Sequence, residues 1–155
     1  MDELAELARS YLDRRTAVAL LSTVSAKGRP DTSVLSGARF GMDGTLAGGE
    51  EDAAGGATFR NLRQNSSASV LVLDPVSDPR SRDGVRIQVE FLGAESDGDE
   101  LGKLDAWLQG FAPGRRIVRR LIFKVLSVER YRTAPGVMTS SPNGTGPTPS
   151  PFTRS

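Results

Sequence analysis

The chain has no cysteine and no histidine. Those two absences exclude a Ser-His-Asp triad, a thiolate nucleophile, a Cys/His zinc site and a haem held by histidine or thiolate. Hard chemistry, if the protein performs any, must be carried by a bound cofactor or by carboxylates. Lysine is scarce as well, present only at positions 27, 103 and 124, so arginine supplies nearly all the positive charge. Twenty Lys+Arg against 19 Asp+Glu leave a net charge of +1. No whole-chain field therefore draws in a polyanion, and nucleic acid is not an expected partner. No apolar run approaches the ~20 residues of a membrane-spanning helix. The opening Asp2-Glu3-Leu4-Ala5-Glu6 lacks the basic-then-apolar order of a signal peptide. A soluble cytoplasmic protein without a membrane partner is the expectation.

What is present fits one domain. A chain of 155 residues buries roughly two-thirds of the surface its unfolded form exposes. Leu4, Leu7, Ala8, Tyr11 and Leu12 recur at helical spacing, with Asp2, Glu3 and Glu6 suited to the start of the helix dipole. Residues 17–24 and 30–40 read as two strands joined by the turn Ser25-Ala26-Lys27-Gly28-Arg29. A second turn at 41–44 leads to a third strand, Thr45-Leu46-Ala47, with connections too short for anything but antiparallel pairing. Residues 48–56, with four glycines among acidic side chains, read as a flexible loop, and 57–64 as a short helix. Strands follow at 68–73 and 85–91, the latter with Val85, Ile87, Val89 and Phe91 alternating against Arg86, Gln88 and Glu90. Leu101, Leu104, Leu108 and Phe111 mark a helix ended by Ala112-Pro113-Gly114. Residues 121–131 form the last strand, with Ile122, Leu126 and Val128 expected on one face and Phe123 and Val125 on the other. From Thr133 onward, five of the nine prolines sit among Ser, Thr and Gly, which predicts a disordered tail over 133–155 after a domain over 1–132. Six short antiparallel strands with inserted helices favour a closed barrel, because closure removes exposed edges.

Several candidate sites reduce to ordinary structure. Asp74, Asp78 and Asp83 lack the alternate-residue spacing of an EF-hand and read as a solvated loop. Neither Ser33 nor Ser36 has a histidine to activate it as a nucleophile. Trp107 beside Leu104 and Leu108 reads as packing. Arg115, Arg116, Arg119 and Arg120 lack interleaved aromatics and read as a solvated face or a dimer-edge ion-pair network. Asn143-Gly144-Thr145 matches a glycosylation triplet, with nothing else pointing to secretion.

The order of motifs resembles a known family. Residues 19–30, Ala-Leu-Leu-Ser-Thr-Val-Ser-Ala-Lys-Gly-Arg-Pro, look like its opening hairpin, with Lys27 where Asp is common. Arg60-Asn61-Leu62-Arg63-Gln64-Asn65 is similar to its helix motif, and residues 69–74, 84–90 and 125–131 resemble the strands that follow. This is the pyridoxamine 5'-phosphate oxidase-like, FMN-binding split β-barrel family, and the resemblance covers roughly residues 15–132. It implies a mainly β fold with inserted helices, a six-stranded antiparallel split β-barrel. It also implies a homodimer that binds flavin mononucleotide (FMN) in grooves at the subunit interface, with a small-molecule substrate left open. Matching cofactor positions are Ser33, Val34, Leu35 and Ser36, then Ala47, Gly48 and Gly49, then Thr58, Arg60 and Asn61. Many members carry a lysine three residues before the helix asparagine, and Thr58 stands there in this chain. Two further readings share the fold. One takes a deazaflavin, with Arg39 or Arg63 meeting its longer tail; the other is a cofactor-free dimeric binding module.

Overall fold

The computed structural model describes residues 3–52, 56–76, 83–110 and 112–132. Helix α1 (Glu3–Leu12) is followed by β1 (Val18–Val24), β2 (Pro30–Phe40) and β3 (Thr45–Glu51). Then come α2 (Ala57–Gln64), β4 (Ser67–Leu73), β5 (Gly84–Glu95), α3 (Asp99–Gln109) and β6 (Ile117–Tyr131). All pairings are antiparallel, and the strands close in the order β1-β2-β3-β6-β5-β4. The expected six-stranded barrel with inserted helices is the observed fold. The predicted tail over 133–155, Asp78 and Phe111 lie outside the described residues.

Alternation fills the barrel. Leu21, Leu35, Leu46, Val70, Val72, Val85, Ile87, Val89, Leu121 and Phe123 turn inward and are almost wholly buried, each such side chain being worth about 1.5–3 kcal/mol of transfer from water. Helix α1 lays Ala8, Tyr11 and Leu12 onto this core and packs against β2, β4, β5 and β6, which covers one end of the barrel. Its exit is fastened by Asp74 at the end of β4. That carboxylate is buried, accepts a hydrogen bond from Thr16 Oγ1 at 2.5 Å and pairs with Arg14 at 3.3 Å. Asp74 is thus a buried fastening rather than part of a solvated loop. Helix α3 lies outside the barrel, with Leu101, Leu104 and Leu108 clustered against Ile117 of β6.

Three expectations need correction. Strand β3 runs to Glu51, so Gly48, Gly49, Glu50 and Glu51 belong to a ladder with β6 rather than to a loop. A Cβ on Gly48 would stand 2.6 Å from Leu35 Cγ, and one on Gly49 2.5 Å from Ile117 Cδ1. The missing side chains therefore make room for packing. Strand β6 starts at Ile117, four residues earlier than expected, and brings Arg119 and Arg120 into the sheet. On that strand the predicted partition of faces also fails beyond Val125. Ser127 pairs with Gln88 and Val125 with Val89, so Leu126 is an extra residue; it is exposed, while Val128 packs on the core. A β-bulge shifts the two-residue period by one, and no composition signal marks it.

Candidate functional site

The middle of β2 borders two cavities. The smaller, about 240 Å³, lies at the start of α2 and is lined by Ser33, Val34, Glu50, Glu51, Thr58 and Arg115 among others. The larger, about 640 Å³, runs between the α1–β1 connection, β2 and α3; Arg14, Arg15, Val34, Arg39, Trp107 and Arg115 contribute to it. Only the larger falls within the usual range for ligand sites. Val34 and Arg115 line both, so the two adjoin. A third cleft of about 430 Å³ shares Gly37, Arg39 and Trp107 with the large groove and continues past Ala47 and Gly48 to Lys103 and Arg120.

Helical geometry decides which expected residues meet. Thr58, Asn61 and Leu62 form the buried face of α2, and Arg60 points away into solvent. Thr58 reaches Ser33 across the smaller cavity, with their hydroxyl oxygens 2.9 Å apart. Asn61 instead donates from Nδ2 to Thr23 Oγ1 at 3.1 Å, tying α2 to β1. Leu35 is buried in the core, and Ser36 donates to a Glu51 carboxylate oxygen. Of the expected positions, Ser33, Val34 and Thr58 converge on one cavity. Arg60 and Asn61 do not join them there, and Gly48 and Gly49 face Leu35 and Ile117 as described.

The charged groups at the site come from segments that sequence reasoning set aside. Arg115 forks Glu51 through Nε at 2.7 Å and Nη2 at 2.6 Å. Arg119, directly opposite Glu50 in the ladder, pairs with it at 2.8 Å and lies over the Phe59 ring at 4.2 Å. Arg116 pairs with Asp105, and Arg120 pairs with Glu95. The arginine run is thus an ion-pair ladder within one chain. A signal for it existed, since cross-strand opposite charges are a stabilising pair type in sheets.

Hydrogen bonds from Arg115 hold the Glu51 carboxyl below its ordinary value of 4.5, helped by Ser36 and opposed by burial. A carboxylate with a lowered folded-state pKa contributes stability that is present above its unfolded value and lost as pH falls through the folded one. Wild-type protein is therefore expected to exceed Glu51→Gln in stability at pH 6. That advantage should shrink once pH drops below about 4.5, as urea melts at pH 6 and pH 3 would show. An equal gap at both pH values would mean that folding does not shift the Glu51 pKa, and a gap that widened at pH 3 would mean that the folded protein holds Glu51 protonated.

No family model matches the chain, and no curated protein matches it. Solved structures do. An FMN-binding protein from Syntrophomonas wolfei is 24% identical over 85% of this chain and 88% of its own, with a TM-score of 0.68. A protein related to general stress protein 26, of the pyridoxinephosphate oxidase family, from Clostridium acetobutylicum is 16% identical over 85% and 91%, with a TM-score of 0.58. An F420 reductase is 14% identical over 83% and 98%, with a TM-score of 0.56. Heme-binding proteins are among the matching structures too. The six-stranded antiparallel barrel fold is shared with these structures, as the hairpin and helix motifs led one to expect. At these identities the shared property is architecture, which hosts more than one ligand.

The residues present fit a flavin. Its phosphate needs donors, and the smaller cavity offers the Ser33 and Thr58 hydroxyls, the Arg115 guanidinium and a helix start that no side chain caps. Its ring system needs an apolar wall, which Val34 and Trp107, each 43% exposed, provide in the adjoining groove.

Proposed function

We propose that this chain is a flavin-binding protein, with FMN as cofactor, acting as an oxidoreductase on a small-molecule substrate. The observation that carries the reading is the continuity of an apolar, Trp107-walled groove with a hydroxyl-lined pocket through Val34 and Arg115. The likeness to FMN-binding structures supports it. When bound, a flavin supplies hydride chemistry that needs no acid or base from the protein. The chain's own residues then have three tasks. Ser33 and Thr58 donate to an anion, and Val34 and Trp107 exclude water from a flat ring. Arg115 balances charge where the two cavities meet. A homodimer completing the groove belongs to this reading, as does a cytoplasmic setting for a chain that uses no disulfide. No helix among the described residues is long and apolar enough to cross a membrane.

Trp107 is the only tryptophan of the chain, which makes the test direct. Titration with FMN is expected to quench both flavin fluorescence and Trp107 emission to saturation at micromolar concentration, and sedimentation at the same concentration is expected to show a dimer. A purified protein that is colourless and unresponsive to FMN removes the proposal and leaves a cofactor-free dimeric binding module, and one that is also monomeric removes that module too. A deazaflavin is the second reading, favoured by the F420 reductase likeness and by Arg39, which borders the groove. Arg63 does not border it; that side chain lies over the Phe59 ring on α2. Competition between FMN and a deazaflavin separates the two.

A further inference from the structure

We propose that Arg115 is the anion-binding residue of this site and that Glu51 sets its strength, so that the protein ranks flavins by the charge they carry beside Ser33 and Thr58. The inference rests on the flavin reading and deepens it. Three observations lead to it. First, Arg115 is the only cation lining the smaller cavity among the described residues. The position where a family lysine would stand holds Thr58, whose hydroxyl is 2.9 Å from that of Ser33.

Second, the pair is asymmetric. The Glu51 side chain is 13% exposed, while that of Arg115 is 53% exposed. The carboxylate is fixed, by Ser36 and by the β3 ladder, and the guanidinium is the open partner. An arginine carries five N–H donors, and the fork to Glu51 runs through Nε and Nη2. The Nη1 edge is not used by that fork, so a phosphate can be met while Glu51 still orients the plane.

Third, no other carboxylate acts on the cavity unpaired. Glu50 is held by Arg119, and Asp105 by Arg116. Asp52 follows directly in the chain, but it is exposed and does not line the cavity. An incoming phosphate therefore meets an Arg115–Glu51 pair of zero net charge, and removing the Glu51 charge leaves a bare cation. At about 4 Å, one unit charge is worth roughly a fivefold change in affinity at the dielectric of water and more in a partly buried site, so a change of about tenfold is the expected scale.

The test uses riboflavin and FMN, which share the ring and differ by the phosphate. Both are titrated by fluorescence into full-length wild type, Glu51→Gln and Arg115→Gln. Inorganic phosphate alone is followed by calorimetry. The FMN-over-riboflavin preference is expected to rise about tenfold in Glu51→Gln and to fall toward unity in Arg115→Gln, with riboflavin affinity unchanged throughout. A merely structural role would weaken both flavins together. If Arg115→Gln does not fold because Glu51 is left unpaired, the double variant Glu51→Gln/Arg115→Gln has no stranded charge and serves instead. An unchanged preference in both variants overturns the inference while the flavin reading stands. Should neither flavin bind, phosphate binding that tightens in Glu51→Gln and vanishes without Arg115 upholds the anion site and removes the flavin reading. No response to flavin or phosphate removes both.

Discussion

Phe123→Ala is expected to cost about 3–5 kcal/mol, the range for deleting a fully buried aromatic ring. Phe123 is 0% exposed, at the centre of the longest strand. Its Cα partners are Leu46 on β3 and Phe91 on β5, so the ring sits where three strands meet. It packs tilted on Phe91 with centroids 5.8 Å apart, and Phe91 meets Phe59 of α2 edge-on at 6.2 Å. Such ring pairs add about 0.5–1.5 kcal/mol beyond area burial. The stack also connects to the site, because Phe59 carries Arg119 on its face and Arg119 holds Glu50 beside the smaller cavity. A domain of this size loses roughly 2–4 °C in Tm per kcal/mol, so a drop of about 6–20 °C is expected for the variant. Phe59→Ala should cost less, since Phe59 is only partly buried. Urea denaturation measures both. A loss under about 1.5 kcal/mol for Phe123→Ala would place the packing centre elsewhere.

The elements that were legible in sequence share a property: their signals are local. The alternation of Val85, Ile87 and Val89 against Arg86 and Gln88 announces a half-buried strand in five residues. Leu4, Ala8 and Leu12 announce a helix face in nine. Strand β2 and helix α2 fall where their composition places them, from Pro30 to Phe40 and from Ala57 to Gln64. Closure into a barrel followed from having many short strands and edges to hide.

What escaped is non-local. Gly48-Gly49-Glu50-Glu51 has the composition of a loop, and it is a strand because Arg119 stands opposite Glu50, 69 positions further along the chain. The same distance hid the site's cation. Arg115 comes from the segment after α3, and nothing in its own neighbourhood shows that it meets Glu51, 64 positions away. Within α2 the outcome turned on a single step of rotation. Positions 58, 61 and 62 share the buried face, so Thr58 enters the cavity and Arg60 cannot. Asn61 shares that face yet serves β1, where its side-chain amide is engaged by Thr23. The family resemblance picked out Ser33, Val34 and Thr58, which the fold brings to one cavity, through chain order, which is information of another kind from periodicity.

Gly37→Val is expected to destabilise the protein by about 2–5 kcal/mol and to move Trp107. Gly37 sits in a β-bulge of β2, between Ser36 paired with Gly49 and Arg39 paired with Ala47, at φ 61°. A side chain there costs about 1–2 kcal/mol from backbone geometry alone, and more for a β-branched residue. The space is also taken. A Cβ would stand 2.4 Å from Leu104 Cδ1 and 3.2 Å from Trp107 Cζ3. Leu104 ends in a flexible side chain and can turn aside, but the Trp107 ring is flat and stiff, so α3 itself must shift. Forced overpacking of this kind adds about 1–3 kcal/mol. Because Gly37 and Trp107 line both the large groove and the neighbouring cleft, a shift of α3 reshapes the groove wall that the proposed function assigns to a flavin ring. Two readings of one sample therefore follow: a lower urea midpoint, and a Trp107 emission maximum displaced toward that of exposed indole before any unfolding. Gly37→Ala keeps most of the backbone cost with less overpacking, and should lose stability while moving the emission less. A Gly37→Val protein as stable as wild type, with unshifted emission, would mean that α3 does not rest on the bulge and that the groove wall is set by some other contact.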